Sequence, residues 1–147
     1  MRVAEVMSDR VETVGAEESA EKALRRMRTR RIHHLVVMLG ARAVGVVSAR
    51  DLESVADPRS FRTVGEVMSA PAVTAEPHMT IRQAANLLRG RTIGCLPVLE
   101  DGKLVGILTA TDMLEQIGKG SERPVSKGKR WVMKGRGPRR KALAVAR

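Results

Sequence analysis

Apolar positions recur along this chain with two different periods. Ala20, Ala23, Leu24 and Met27 fall at i, i+3, i+4 and i+7, the spacing of one buried helical stripe. The opposite face carries Lys22, Arg25, Arg26 and Arg28, and Ser19 is placed to cap the first turn. Further on, His34-Leu35-Val36-Val37-Met38 and Ala43-Val44-Gly45-Val46-Val47 flank Gly40-Ala41 and predict a hairpin. A short strand, Val11-Glu12-Thr13-Val14, precedes the helix, and a second helix is expected from Ala49 to about Ala56.

The whole pattern then returns 61 residues later without a gap. Val6-Met7-Ser8 falls on Val67-Met68-Ser69, and Thr63 with Glu66 has capping-box spacing before a single helical turn. The strand becomes Ala72-Val73-Thr74-Ala75. The helical stripe becomes Ile81, Ala84, Ala85 and Leu88, with Thr80 and Gln83 as cap and box. The hairpin becomes Cys95-Leu96-Pro97-Val98-Leu99 and Lys103 to Leu108 around Asp101-Gly102, a strong turn signal. A last helix is expected from Ala110 to about Ile117, stopped at Gly118. Most telling is one phrase, Gly45-Val46-Val47-Ser48-Ala49-Arg50-Asp51, repeated as Gly106-Ile107-Leu108-Thr109-Ala110-Thr111-Asp112. Such a repeat means two copies of one supersecondary unit, β-α-β-β-α, and raises the expectation of two related sites. Each copy is too small to bury a comfortable core alone, so the two should pack together. The expected divisions are residues 1–62, 63–118 and a tail, 119–147, with Asp57-Pro58-Arg59-Ser60 as the linker.

Composition sharpens this picture at three points. Phe61 and Trp131 are the only aromatic residues, so the core must be aliphatic. Cys95 is the only cysteine, which excludes an intrachain disulfide and cysteine-cluster metal sites and fits a reducing, cytoplasmic setting. No apolar stretch approaches a signal segment or a membrane span, so a soluble, unexported chain is expected. The net charge of +11 is unevenly placed: 119–147 hold 11 of the 27 basic residues and one acid, Glu122. A nearly neutral body thus carries a basic C-terminal tail whose Gly, Pro and like charge predict disorder.

The duplicated order of elements and the phrase Gly-apolar-apolar-Ser/Thr-x-x-Asp resemble the cystathionine-β-synthase (CBS) domain, here as a tandem pair or Bateman module. The likeness runs from Val3 to about Ile117 and is carried by Val-Met-Ser, the Ala-rich helix, Leu96-Pro97-Val98 and both Gly–Asp phrases. It implies an α/β (α+β) fold in which two domains pack through their sheets with pseudo-two-fold symmetry and form two clefts. It implies a regulatory role, with adenine nucleotides (AMP, ADP or ATP) or S-adenosylmethionine as ligand, no required cofactor, and a homodimer formed through the helices.

At the end of a strand and the start of a helix, free N–H groups and the helix dipole favour an anion. On that reading Ser48 and Thr109 offer hydroxyls to phosphate, while Asp51 and Asp112 accept hydrogen bonds from ribose hydroxyls. Arg50 could neutralise phosphate; Thr111 stands at its place in the second copy, where that charge is missing. By the same resemblance, the base would lie against Thr13, Val14, His34, Leu35 and Val36 in the first cleft. In the second it would lie against Ala72, Val73, Cys95, Leu96 and Pro97. A purely structural role competes with this, since Ser48 and Thr109 are good N-caps and Asp suits the first turn.

His33-His34 is weak as a metal or catalytic pair, because adjacent strand residues face opposite ways and no ligand partner sits at suitable spacing. His34 is expected to border the first cleft and His33 to lie elsewhere. Cys95 is expected to be a buried, inert thiol. No nucleophile–base pair, metal cluster or Gly-rich phosphate loop points to an enzyme. The expectation is therefore a non-catalytic nucleotide sensor, homodimeric and signalling to an unidentified protein, with no membrane role. The rival is a nucleic-acid-binding protein that uses 119–147 as an electrostatic arm for nucleic acid or another polyanion, with the paired domains as a dimerisation scaffold.

Overall fold

In the computed structural model, residues 1–55, 57, 59, 61–91 and 93–119 are described. The expectations about the basic tail beyond Lys119 lie outside them. The elements are α1 (Val3–Val6), β1 (Thr13–Gly15), α2 (Ala20–Arg30), β2 (His34–Leu39), β3 (Arg42–Ser48) and α3 (Ala49–Glu53). The second half continues with α4 (Val64–Val67), α5 (Ile81–Arg91), β4 (Cys95–Glu100), β5 (Lys103–Thr109) and α6 (Ala110–Gly118). In this mixed α/β architecture the first half follows the expected order, and the second follows it without its first strand.

Local chemistry places these elements. Ser19 Oγ accepts from Lys22 N and starts α2, whose buried stripe is Ala20, Ala23, Leu24 and Met27. Thr80 and Gln83 cap α5 reciprocally, at 3.0 and 3.1 Å. Asp101 and Gly102, with φ of 51° and 78°, make the left-handed turn that joins β4 to β5. Helix α3 ends at Glu53, short of the expected Ala56; the Ser54 hydroxyl donates to the Asp51 carbonyl at 2.7 Å.

One sheet runs β1-β2-β3, with β1 parallel and β3 antiparallel to β2; the other is the antiparallel pair β4-β5. The expected strand Ala72–Ala75 is reduced to a single bridge, Ala75 to Val98. Proline explains the loss. In the first half Val36 N donates to Glu12 O and Ala16 N to Met38 O, both at 3.2 Å. The equivalent positions are Pro97 and Pro77, which have no N–H to donate.

The opening segment of each repeat crosses to the other half. Val3 N donates to Met79 O at 2.8 Å and Ala4 N to Pro77 O at 2.9 Å, while Ser8 and Ile107 exchange both backbone bonds. The same set recurs one repeat on: Val64 N to Glu18 O, Gly65 N to Ala16 O, and Ser69 with Val46. Accordingly Val3 is buried in the second core, with Leu88, Leu96 and Leu108. Val64 is buried in the first, with Leu24, Leu35 and Leu52. A third cluster, Val36, Val46, Cys95 and Ile107, joins the two sheets. The halves are thus related by pseudo-two-fold symmetry and tied by exchange as well as by contact.

This exchange explains the glycine of the repeated phrase. A β-carbon on Gly45 would meet Met68 Sδ and Ser69 O at 2.7 Å. One on Gly106 would meet Met7 Sδ at 2.5 Å and Ser8 O at 2.9 Å. The Met-Ser of each opening segment therefore seats on the glycine of the other repeat.

Candidate functional site

Strand β3 delivers Ser48 to the start of α3, and β5 delivers Thr109 to the start of α6. Both form full capping boxes. Ser48 N donates to Asp51 Oδ2 at 3.0 Å and Asp51 N to Ser48 Oγ at 3.1 Å. The second pair is tighter: Thr109 N to Asp112 Oδ2 at 2.8 Å and Asp112 N to Thr109 Oγ1 at 3.0 Å. The capping role foreseen for these residues is real, and it leaves the second oxygen of each carboxylate, Oδ1, outside the box. Each aspartate is half-buried. A fixed, partly desolvated acceptor of this kind suits a pair of hydroxyl donors.

Each aspartate borders a cavity. The first, about 620 Å³, combines Ser48, Arg50 and Asp51 with Ser69, Ile93 and Gly94 of the second repeat. The second, about 420 Å³, combines Thr109, Thr111 and Asp112 with Ser8, Arg10, Glu12 and Ile32 of the first. The two linings are largely one another's images under the 61-residue shift: Ser69 for Ser8, Ile93 for Ile32, Gly94 for His33. His33 and His34 line both cavities.

This geometry brings only part of the expected site together. His34, Ser48, Arg50 and Asp51 do come together, as do Thr109, Thr111 and Asp112. Val14 and Leu35 are instead buried in the first core and Val36 at the sheet interface. Leu96 belongs to the second core, Cys95 to the interface, and Pro97 is buried. Thr13 is exposed, with its carbonyl taken by Arg26 Nη2 at 2.6 Å, and Val73 packs on the second core. Neither these residues nor Ala72 lines either cavity. The crossing of the opening segments sets Ser8, Arg10, Glu12 and Ile32 beside Asp112 rather than beside Asp51. His33, expected elsewhere, is part of both walls.

The central wall is where the two halves differ most. At the repeat positions of His33 and His34 the second half has Gly94 and Cys95. Burial lowers the His34 pKa, and neighbouring His33 lowers it further; Asp51 and Asp112 pull the other way. Burial pushes the Cys95 thiol up to about 12, so it stays protonated and inert. Among the described residues no cluster of His, Cys, Asp and Glu could hold a metal ion, and no helix is long and apolar enough to cross a membrane.

The profile of the CBS domain matches residues 3–56 and again 64–119. The chain belongs to the CBS domain family. Its two copies form a CBS pair, and solved CBS pairs have the same fold. One is the CBS domain pair of protein MJ0100, in complex with 5′-methylthioadenosine and S-adenosyl-L-methionine. It is 22% identical, with a TM-score of 0.73 over 81% of this chain and 97% of that one. Another is a CBS-domain protein of Agrobacterium tumefaciens, 24% identical, with a TM-score of 0.71 over 80% of this chain and 99% of that one. By sequence the chain is 35% identical over 102 residues to inosine-5′-monophosphate dehydrogenase of Korarchaeum cryptofilum, covering 69% of this chain but 21% of the dehydrogenase. It is 29% identical over 114 residues to the CBS domain-containing protein YhcV of Bacillus subtilis, covering 76% of this chain and 81% of that one. The chain thus spans about a fifth of the length of the dehydrogenase it matches.

Several lining residues carry no signal in a single repeat. Ser8, Arg10, Glu12 and Ile32 become site residues only through the exchange. The 61-residue shift that pairs Ser8 with Ser69 and Ile32 with Ile93 was the available clue.

Proposed function

We propose that this CBS pair is a non-catalytic regulatory module that binds adenosine-type ligands, in the first place adenine nucleotides, in its two cavities. One observation carries the reading: a rigid carboxylate and an arginine stand at the wall of each of two cavities related by the repeat. Asp51 and Asp112 accept the ribose hydroxyls through their Oδ1 atoms, and the adjoining guanidinium neutralises phosphate. The MJ0100 pair, with two adenosine-containing ligands, supports the ligand class. Binding then acts on a partner protein. Self-association belongs to the same reading: α6 exposes Leu114 and Ile117, by 67% and 55%, a surface suited to a second copy.

A thermal-shift panel of adenosine, AMP, ADP, ATP and S-adenosylmethionine tests the proposal. A ligand at a hundred times its dissociation constant adds about 2.7 kcal/mol to the folded state. No shift with any of them at millimolar concentration would remove the sensor reading. No observation on the described residues favours the nucleic-acid alternative.

A further inference from the structure

The two cavities hold the same charges at different addresses. In the first, the arginine comes from the repeated phrase itself, as Arg50. The phrase offers only Thr111 to the second, which on sequence grounds lacks the charge. Yet the second cavity is also lined by an arginine, Arg10, which reaches it through the crossed opening segment. The repeat position of Arg10 is Pro71, which lines neither cavity. The first repeat therefore supplies both arginines and the second neither, yet each cavity receives one guanidinium.

The acids divide in parallel. Beyond its aspartate, the first cavity has Glu53 and the second Glu12. Both glutamates are engaged by arginines of α2: Glu53 with Arg28 at 3.6 Å, Glu12 with Arg30 at 2.5 Å. No ion pair joins Arg10 or Arg50 to a carboxylate among the described residues. Both are exposed, so both guanidiniums are free for a ligand. What remains at each cavity is one aspartate fixed by its capping box and one unpaired arginine.

We propose that Arg10 is the phosphate-binding residue of the second cavity, so that this cavity takes a phosphorylated nucleoside as the first does. The inference rests on the adenosine reading above and adds to it the location of the anionic pole. A planar guanidinium binds phosphate oxygens in bidentate fashion, which an ammonium cannot reproduce fully. The non-equivalent positions also imply that phosphate enters the two cavities from different sides: beside the helix start in one, beside the crossed segment in the other.

Calorimetric titration of adenosine and of AMP tests this on the wild type, on Asp51→Ala, and on Asp51→Ala combined with Arg10→Ala or Arg10→Lys. Asp51→Ala leaves the second cavity as the site observed. Adding Arg10→Ala should weaken AMP about tenfold or more while leaving adenosine unchanged. Arg10→Lys should recover part of the loss, and rising salt should shrink the difference. Arg10 is exposed and makes no side-chain hydrogen bond among the described residues, so the ligand-free melting curve should not move. Equal loss of AMP and adenosine, no loss of AMP, or the disappearance of all binding in Asp51→Ala alone would each overturn the role of Arg10. Failure of the wild type to bind either compound would overturn the adenosine reading with it.

Discussion

The ring of His34 occupies the space that a side chain at Gly94 would need. A β-carbon there would lie 2.5 Å from His34 Nε2. The two positions are offset by one residue across the repeat, His33 corresponding to Gly94 and His34 to Cys95. The pseudo-symmetry therefore breaks at the wall that both cavities share. Gly94→Ala should turn the imidazole aside rather than shift the backbone, costing less than about 1 kcal/mol in urea unfolding. It should nevertheless weaken ligand binding at both cavities. Binding unchanged in either would show that His34 is not a common wall.

Titration of the same histidine gives a pH dependence. The groups acting on His34 are His33, Asp51 and Asp112, and burial outweighs the two carboxylates, so its folded-state pKa lies below the ordinary 6.5. The unfolded chain then binds more protons than the folded one as pH falls through and below 6.5, and stability is lost in that window. Above it both states hold a neutral ring and the effect vanishes. Urea unfolding between about pH 5 and pH 8 should show a shallower acid loss for His34→Gln than for wild type. Identical profiles would place the acid sensitivity elsewhere.

Gly45 poses a harder steric problem than Gly94, because a β-carbon there meets the backbone oxygen of Ser69 as well as Met68 Sδ, each at 2.7 Å. A backbone atom held in a two-bond exchange with Val46 cannot rotate away. Gly45→Ala should therefore cost about 1–3 kcal/mol. It should also raise hydrogen exchange at the Ser69 amide, which donates to Val46 O at 2.9 Å. Protection unchanged at Ser69 would contradict the interlock.

Helix α6 differs from α3 on its outer face. Leu114 stands at the repeat position of Glu53, which is paired with Arg28. Leu114→Glu with Ile117→Glu should give a monomer in sedimentation or light scattering, with the melting of the isolated pair little changed, since both side chains are exposed. Persistence of the wild-type assembly would move the interface off α6.

What the sequence disclosed divides along physical lines. Helix stripes, capping boxes and the Asp101-Gly102 hairpin depend on neighbours a few residues apart, and Ser19, Thr80 and Gln83 stand where their spacing put them. The Ser48–Asp51 and Thr109–Asp112 pairs were legible for the same reason. The crossing of the opening segments was not. A repeat is compatible with Val3 packing on its own half or on the other, since the shift carries either arrangement onto itself. That ambiguity hid the placement of Ser8, Arg10 and Glu12 beside Asp112, whereas Val14, Leu35 and Val36 line neither cavity because they are buried in the first core and at the sheet interface. The missing strand at Ala72–Ala75 was recoverable in principle, because Pro77 and Pro97 remove two ladder donors, but only once the register is known.

The central claim is that each aspartate serves one cavity and that both cavities bind the same class of ligand. Titration calorimetry with AMP on wild type, Asp51→Ala and Asp112→Ala tests it most directly. Removing one capping carboxylate costs about 1 kcal/mol of stability, which a melting curve checks separately. The account predicts two sites per chain in the wild type and one in each variant, with the surviving site unchanged. Two full sites in either variant, or none in the wild type, would contradict it.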